Sequence, residues 1–125
     1  MISFVNPNYL LSHEETNKIR LNEIKKSIIK NGLKKPIIVD AASFVILDGH
    51  HRVQALKELG ASRIPVYFVN YYHASVTVKP RRNIKVSKEI VLFKAYSNSP
   101  FPEKTTLHEL STTVPEVNIK LEKMI

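Results

Sequence analysis

One turn in the middle of the chain brings a carboxylate, two imidazoles and a guanidinium together: Asp48, Gly49, His50, His51 and Arg52. An apolar run precedes it at 44–47 and a helical pattern follows at 53–59, which predicts a strand, a tight turn and a helix. Cations at a helix N-terminus are unfavourable unless an anion lies among them, because free N–H groups make that end electropositive. The turn therefore favours a phosphate site, with a solvated turn of chance polar residues as the alternative.

Two further polar clusters carry residue types suited to catalysis. His13, Glu14 and Glu15 come just before the first predicted helix. A carboxylate there could accept the proton of a hydroxyl in phosphoryl transfer, but acidic residues also suit a helix start, and the residues alone favour that second reading. The other cluster, 104–108, contains a lysine, two threonines and a histidine. It could bind a carboxylate or phosphate, or begin a helix capped by Thr105 or Thr106.

Composition narrows the class of protein. The chain has 125 residues, of which 43% are hydrophobic and 24% charged, as expected for a soluble globular domain with one core. It lacks an apolar run long enough to span a bilayer and a signal-peptide pattern, so we expect a cytoplasmic protein without membrane partners. The absence of cysteine excludes disulfides, thiolate metal sites and cysteine nucleophiles.

The net charge of +8 is compatible with nucleic acid, a membrane surface or small polyanions. The basic residues are dispersed, however, around the first predicted helix and again between residues 79 and 88. Such a distribution is also typical of solvated surfaces. Charge alone therefore does not choose the ligand.

The elements that must position these residues follow from periodicity and turn signals. Spacings of three and four between Leu21, Ile24 and Ile28 predict a helix that ends at Asn31 and Gly32. Ser87 is a suitable N-cap for a later helix from Lys88 to about Tyr96. Residues 118–123 are consistent with an edge strand or a tail segment. The predicted strands are Ile2–Val5, Pro36–Val39, Phe44–Leu47, Ile64–Val69 and Val76–Val78, the last stopped by Lys79 and Pro80. We therefore expect an α+β fold with a small mixed β-sheet packed against helices.

These motifs carry a resemblance to a known family. The segment 48–52, followed by Ala55, Leu56, Leu59 and Gly60, resembles the nucleotide-binding motif of the ParB/sulfiredoxin superfamily, and its Asp-Gly-His-His-Arg spelling resembles that of archaeal free serine kinases. Segment 12–15 is similar to that family's Pro-His-Glu segment, with Ser12 in place of proline. Segment 104–108 is similar to its Lys-Thr-Thr-Arg-His segment, with Leu107 in place of arginine.

The resemblance implies an enzyme that phosphorylates free L-serine to O-phospho-L-serine with ADP or ATP and Mg²⁺. It implies that Glu14 receives the proton of the serine hydroxyl and that Asp48 is a further catalytic residue that could hold the metal. Nucleotide and phosphate binding would fall to Ser27, Asp48, Gly49, His50, His51 and Arg52, and substrate binding to Lys104, Thr106 and His108. It also implies one ParB/sulfiredoxin-like domain over residues 1–125, with a core at about 1–72 and a substrate-side segment at about 85–125.

Two other functions found in this superfamily are alternatives to a serine kinase. A sulfiredoxin-like reductase is excluded because its chemistry needs a cysteine. A ParB-like nucleotide-dependent DNA-binding or regulatory module without kinase activity would fit the positive charge, but no helix-turn-helix pair follows the nucleotide motif. We therefore expect adenine nucleotide and L-serine as partners rather than nucleic acid. The chain is shorter than many family members, and a homodimer could complete its pocket.

Overall fold

The computed structural model describes residues 1–125 and has a four-stranded mixed sheet at its centre. Its strands are β1 (Ile2–Val5), β2 (Ile37–Asp40), β3 (Ile46–Asp48) and β4 (Ile64–Val69), in the order β1-β4-β2-β3. The β2–β4 pair is parallel, and the two outer pairs, β1–β4 and β2–β3, are antiparallel. The predicted α+β fold with a small mixed sheet is confirmed.

Two helices, α1 (Lys18–Asn31) and α2 (His50–Glu58), cover one face of this sheet. Helix α1 begins where the Asn17 side chain accepts the Arg20 N–H at 3.0 Å, and it ends at Gly32, whose φ is 73°. Because side chains alternate along a strand, Ile37 and Val39 of β2 pack under these helices. This packing holds the start of α2 against the end of β3.

The other face is covered by α3 (Lys88–Tyr96) and by a two-stranded ribbon of β5 (Val76–Pro80) and β6 (Thr106–Leu110). Helix α3 is capped as predicted, because the Ser87 hydroxyl accepts the Ile90 N–H at 3.1 Å. A second apolar cluster lies here and includes Tyr71, Val91 and Phe101. No helix of the chain combines the length and the apolar character that crossing a membrane requires.

Several predicted boundaries were wrong. Segment 106–110 is a strand and not a helix start, since it pairs with β5 from Val76↔Leu110 to Pro80↔Thr106. Strand β5 therefore continues through Pro80, at an edge position that tolerates a missing N–H. Strand β3 begins only at Ile46, because Phe44 adopts a positive φ of 62°. Near the C-terminus, Ile119 makes a single antiparallel bridge with Leu33, and a 3-10 turn follows at Leu121–Lys123.

Candidate active site

A polar cleft of about 210 Å³ lies where β3 ends and α2 begins. Its other walls come from the segment before α1, from the first turn of α1 and from β6. The three motifs that were distant in sequence meet here. The cleft is lined by Glu14 from the first, by Asp48 to Arg52 from the second, and by Lys104, Thr106 and His108 from the third.

The turn into α2 depends on Gly49. Its φ is 115°, in the region that side chains with a Cβ rarely adopt. A Cβ at this position would lie 2.8 Å from the Ile37 side chain and 2.9 Å from Nη2 of Arg52. Gly49 is also the N-cap residue and offers no capping side chain, so the first N–H groups of α2 remain available at the cleft. This geometry suits an anion such as phosphate.

The two histidines of the turn are not the cations that the sequence suggested. Nε2 of His50 accepts the main-chain N–H of His13 at 3.1 Å, and Nε2 of His51 accepts the main-chain N–H of Asn17 at 2.9 Å. A ring nitrogen that accepts a hydrogen bond carries no proton, so both rings are neutral with the proton on Nδ1. Burial lowers the pKa of His50 well below its ordinary value, and repulsion from His13 adds to the effect. Burial likewise lowers the pKa of His51, with a further contribution from Arg20.

Arg52 is held mainly by the protein itself. Its Nη1 donates to the carbonyl groups of Lys35 and Pro36 at 2.8 and 3.1 Å, and its Nη2 lies 3.6 Å from a carboxylate oxygen of Asp48. The guanidinium therefore ties the start of α2 to the entry of β2. It still borders the cleft, where its charge acts on any anion bound there.

Glu14 is buried and is fixed by the strand opposite it. Its Oε1 accepts the main-chain N–H of Lys104 at 3.0 Å, and its Oε2 accepts the main-chain N–H of Thr106 at 2.8 Å. The Thr106 hydroxyl donates to the same Oε2. Because Oε1 has only one partner, it keeps a free lone pair for a further donor. The positive φ of Lys104, 55°, turns the chain so that these donors converge.

A short hydrogen-bonded chain connects Glu14 to the α2 turn through His13. The Thr106 hydroxyl gives its proton to Glu14, so the Thr106 oxygen accepts from Nε2 of His13 at 3.0 Å. The main chain of His13 in turn donates to His50. His13 is fully buried, and its desolvation lowers its pKa to about 4, against the attraction of Glu14. The sequence motif contained His13, but its role as a connector depends on tertiary contacts.

His108 lines the cleft but does not offer it a ring nitrogen. Its Nε2 is 2.7 Å from the hydroxyl of Tyr71, and its Nδ1 is buried. Burial, followed by repulsion from His13, lowers the pKa of His108 to about 3, so the ring is neutral. Tyr71 is fully buried, and this burial raises the pKa of its hydroxyl. In this arrangement His108 shapes the cleft wall and Tyr71 orients it.

Two arginines that line the cleft were not among the site residues predicted from the sequence. Arg20 comes from the first turn of α1, and Arg81 directly follows β5. Both are exposed, and neither guanidinium takes part in the hydrogen bonds or ion pairs of the chain. Exposed arginines in a basic chain carry no local signal, so only the fold identifies them. Together with Arg52 and Lys104 they give the cleft its positive charge.

Ser27 lies elsewhere. It is exposed on α1 and borders a neighbouring pocket of about 220 Å³, which shares Ile24 and Arg52 with the cleft. The neighbouring pocket is mainly apolar, with Ile28 and Leu33 in its wall. A ligand that occupied both spaces would have a polar end beside α2 and a less polar end beside Ser27.

The fit of a divalent cation rests on one carboxylate. Asp48 borders the cleft and its side chain is 65% exposed, whereas both oxygens of Glu14 are already hydrogen-bonded. The chain has no group of three or more side chains arranged to hold a metal. Mg²⁺ commonly binds through one or two carboxylates together with substrate phosphates and water. The residues thus fit a Mg²⁺ that arrives with a nucleotide, held by Asp48.

Comparisons with known proteins find a family and relatives that match part of this chain. A family model described as the ParB N-terminal domain matches residues 1–80. A ParB-like protein of Sulfolobus acidocaldarius is 38% identical over 78 residues, which cover 62% of this chain and 39% of the relative. An ATP-dependent L-serine kinase of Staphylothermus marinus is 36% identical over 75 residues, which cover 56% of this chain and 30% of the relative. The matches therefore span well under half the length of these curated relatives.

The fold also matches a solved structure. A free serine kinase in complex with AMP superposes with a TM-score of 0.86 at 16% identity, covering 99% of this chain and 93% of the other. At this level of identity the likeness shows that the two chains share their fold.

Proposed function

Because this chain belongs to the ParB N-terminal domain family, we propose that it is a free L-serine kinase. The reaction transfers the terminal phosphoryl group of ADP or ATP to the serine hydroxyl and gives O-phospho-L-serine. One observation carries the proposal: the carboxylate of Glu14 faces the same cleft as the amide-rich start of α2. The kinase name of the relative from Staphylothermus marinus supports it.

The donor phosphates bind at the start of α2. Free N–H groups after Gly49 and the positive end of the helix dipole stabilise them there. Arg20, from the first turn of α1, and Lys104, from the segment before β6, add positive charge to the cleft. His50 and His51 contribute as neutral donors through Nδ1–H, since their Nε2 atoms already accept main-chain amides. This arrangement meets the main demand of phosphoryl transfer, which is alignment and charge neutralisation.

The nucleoside of the donor extends towards the pocket beside Ser27. That pocket adjoins the cleft at Ile24 and Arg52, so a chain of phosphates can pass from one to the other. Ile28 and Leu33 supply apolar contacts for a base, and Ser27 supplies a hydroxyl. Asp48 would hold Mg²⁺, which when bound neutralises charge on the transferred phosphoryl group.

The acceptor hydroxyl lies against Glu14. Its proton passes to the free lone pair of Oε1 as the serine oxygen bonds to the terminal phosphorus. The bond between that phosphorus and its bridging oxygen breaks, and the electron pair leaves with the nucleotide. Glu14 is suited to this role because its hydrogen bonds to Lys104 and Thr106 prevent it from rotating. No covalent enzyme intermediate is needed.

A test of product formation separates this proposal from its alternative, a ParB-like DNA-binding or regulatory module. The protein is incubated with L-serine, Mg²⁺ and ADP or ATP, and phosphoserine is measured by mass spectrometry. Formation of phosphoserine that disappears in Glu14→Ala supports the kinase. Absence of product, together with DNA binding that weakens as salt is raised, would reject it in favour of the alternative.

A further inference from the structure

Arg81 has a fixed main chain and a free side chain. Its N–H donates to the carbonyl oxygen of Thr105 at 2.8 Å, which continues the β5–β6 ribbon by one step beyond Pro80↔Thr106. Arg81 lines the cleft and is exposed, and its guanidinium is absent from the ion pairs and side-chain hydrogen bonds of the chain. Because its main chain is fixed and its guanidinium has no partner in the protein, the planar set of guanidinium N–H donors is available to a ligand.

The other cations of the cleft lie towards the α2 turn. Arg52 is bound to carbonyl groups and to Asp48. Asn17 and Glu103, which lie close to Arg20 and Lys104 in sequence, both contact His51, at 2.9 and 3.7 Å from its Nε2. The charges of Arg20 and Lys104 therefore lie near the proposed site of the donor phosphates. Arg81 lies instead on the side of the cleft formed by β6, because its main chain pairs with Thr105, the residue that precedes this strand. It therefore belongs to the same side of the cleft as Thr106, which binds Glu14.

We propose that Arg81 binds the α-carboxylate of the acceptor and thereby restricts the reaction to free amino acids. This inference rests on the proposed function and adds a specificity-determining residue to it. An arginine fork pairs with a carboxylate through two parallel hydrogen bonds, which orients the ligand as well as attracting it.

None of the β6 residues that line the cleft is a cation, since Thr106 and Leu107 carry no charge and the ring of His108 is neutral. Leu107, the neighbour of Thr106 on β6, lines the cleft with an apolar side chain. Arg81, which continues β5 alongside β6, supplies positive charge on this side. Glu14 lines the same cleft, so the carboxylate and the hydroxyl of one short amino acid would be bound by Arg81 and Glu14 within a single cavity.

Steady-state kinetics with two acceptors tests this assignment. L-Serine has the carboxylate, whereas ethanolamine has the hydroxyl and amine but lacks the carboxylate. Arg81→Ala is expected to raise the KM for L-serine about 10- to 100-fold, as loss of a hydrogen bond to a charged group implies. The KM for the nucleotide should stay within about twofold, the preference for serine over ethanolamine should collapse, and Arg81→Lys should recover part of it.

Lys79→Ala is the matched control. Lys79 lies on β5, two residues before Arg81, and its replacement removes the same charge, but Lys79 pairs with Glu109 outside the cleft. Its kinetics should equal those of the wild type. A rise in the nucleotide KM of Arg81→Ala, or an unchanged preference for serine, would overturn the proposal.

Calorimetry of L-serine binding, with AMP present so that no phosphoryl transfer occurs, separates the role of Arg81 from the kinase proposal. If serine binds to the wild type and not to Arg81→Ala, but is never phosphorylated, the role of Arg81 stands and the kinase proposal fails. If serine is phosphorylated without dependence on Arg81, the kinase proposal stands and the role of Arg81 fails. If serine does not bind to the wild type, the role of Arg81 is rejected.

Discussion

The main-chain N–H of His13 donates to Nε2 of His50 at 3.1 Å, and the two rings meet edge to face with centroids 4.4 Å apart. This contact joins the residue before Glu14 to the first residue of α2. Glu14 and the α2 turn, the proposed acceptor base and donor-binding site, are thus held by one buried pair. A neutral His50 is a requirement of this contact, because a protonated ring could not accept the N–H.

Glu14→Gln should reduce phosphoserine formation by about 10²- to 10⁴-fold, since an amide cannot accept the hydroxyl proton. The substitution also points an NH₂ group towards donors that now meet a carboxylate oxygen, so the melting temperature should fall. The matched control is Glu15→Gln at the adjacent, exposed position, which should retain wild-type rates. Equal rates in the two variants would remove Glu14 from the mechanism.

Gly49→Ala should be clearly more destabilising than Gly60→Ala. Both residues have a positive φ, 115° and 85°, so both variants carry backbone strain of about 1–3 kcal/mol. Only at Gly49 would the new Cβ also collide with Ile37 and Arg52, whereas nothing lies within 4 Å at Gly60. Urea denaturation measures the difference between the two, and isothermal calorimetry with AMP should show weakened nucleotide binding in Gly49→Ala alone. Equal losses of stability would show that the collision relaxes without cost.

Stability should fall as the pH is lowered from about 6.5 towards 4. The folded-state pKa values of His13 and His108, about 4 and about 3, lie below the ordinary value of 6.5. In this window the unfolded chain binds protons that the folded chain does not, so each imidazole contributes a slope of about 1.4 kcal/mol per pH unit. Above pH 6.5 this contribution is complete and constant. The free energy of unfolding from urea titrations at several pH values gives the slope.

His108→Gln provides the check on this assignment. Between pH 6 and 4.5 it should reduce the slope of the unfolding free energy against pH by the contribution of one imidazole, about 1.4 kcal/mol per pH unit. An unchanged slope would show that His108 already takes up a proton in the folded protein, and that its environment is less apolar than its burial implies.

Tyr71→Phe should destabilise the protein by about 1–3 kcal/mol, because it leaves Nε2 of His108 buried without a partner. The ring of Tyr71 packs in the second apolar cluster, and phenylalanine preserves that packing. Tyr72→Phe is a suitable comparison, since Tyr72 is 59% exposed. Chemical denaturation of both variants measures the effect. Equal free energies of unfolding would show that the buried hydrogen bond does not contribute to stability.

Removal of the divalent cation should abolish phosphoryl transfer, and Asp48→Asn should raise the concentration of Mg²⁺ needed for half-maximal rate. The carboxylate of Asp48 is largely exposed, so the folded state should be nearly unaffected. Activity that persists in EDTA would exclude a metal requirement. A normal Mg²⁺ dependence in Asp48→Asn would place the cation on other ligands.

The sheet and the three helices could be predicted because their signals are local. Spacing of apolar residues identified α1, and Ser87 and Gly32 marked helix ends through their own side chain or lack of one. Strand β6 could not be predicted in this way. Its buried positions are Thr106 and His108, while Leu107 is only half-buried, so the usual alternation of apolar-in and polar-out is reversed.

The protonation of the site residues was equally hidden. His50 and His51 were expected to be cations, but their partners, the N–H groups of His13 and Asn17, lie more than thirty residues away in sequence. Arg20 and Arg81 were missed because a guanidinium on the surface becomes part of a site only when distant walls face it. Motifs thus located the cleft, and tertiary contacts decided which of its residues carry charge.

The hydrogen bond between Arg81 and Thr105 joins the two ends of a long connection, residues 82–104, which contains α3. Within that connection, an exposed link joins α3 to the segment that returns to the cleft and consists of Ser97, Asn98 and Ser99. Because the entropy of closing a loop grows only with the logarithm of its length, doubling a loop costs about 0.6 kcal/mol. The chain could therefore accept an inserted module at this link while both walls of the cleft keep their register, which makes it a natural point for domain grafting.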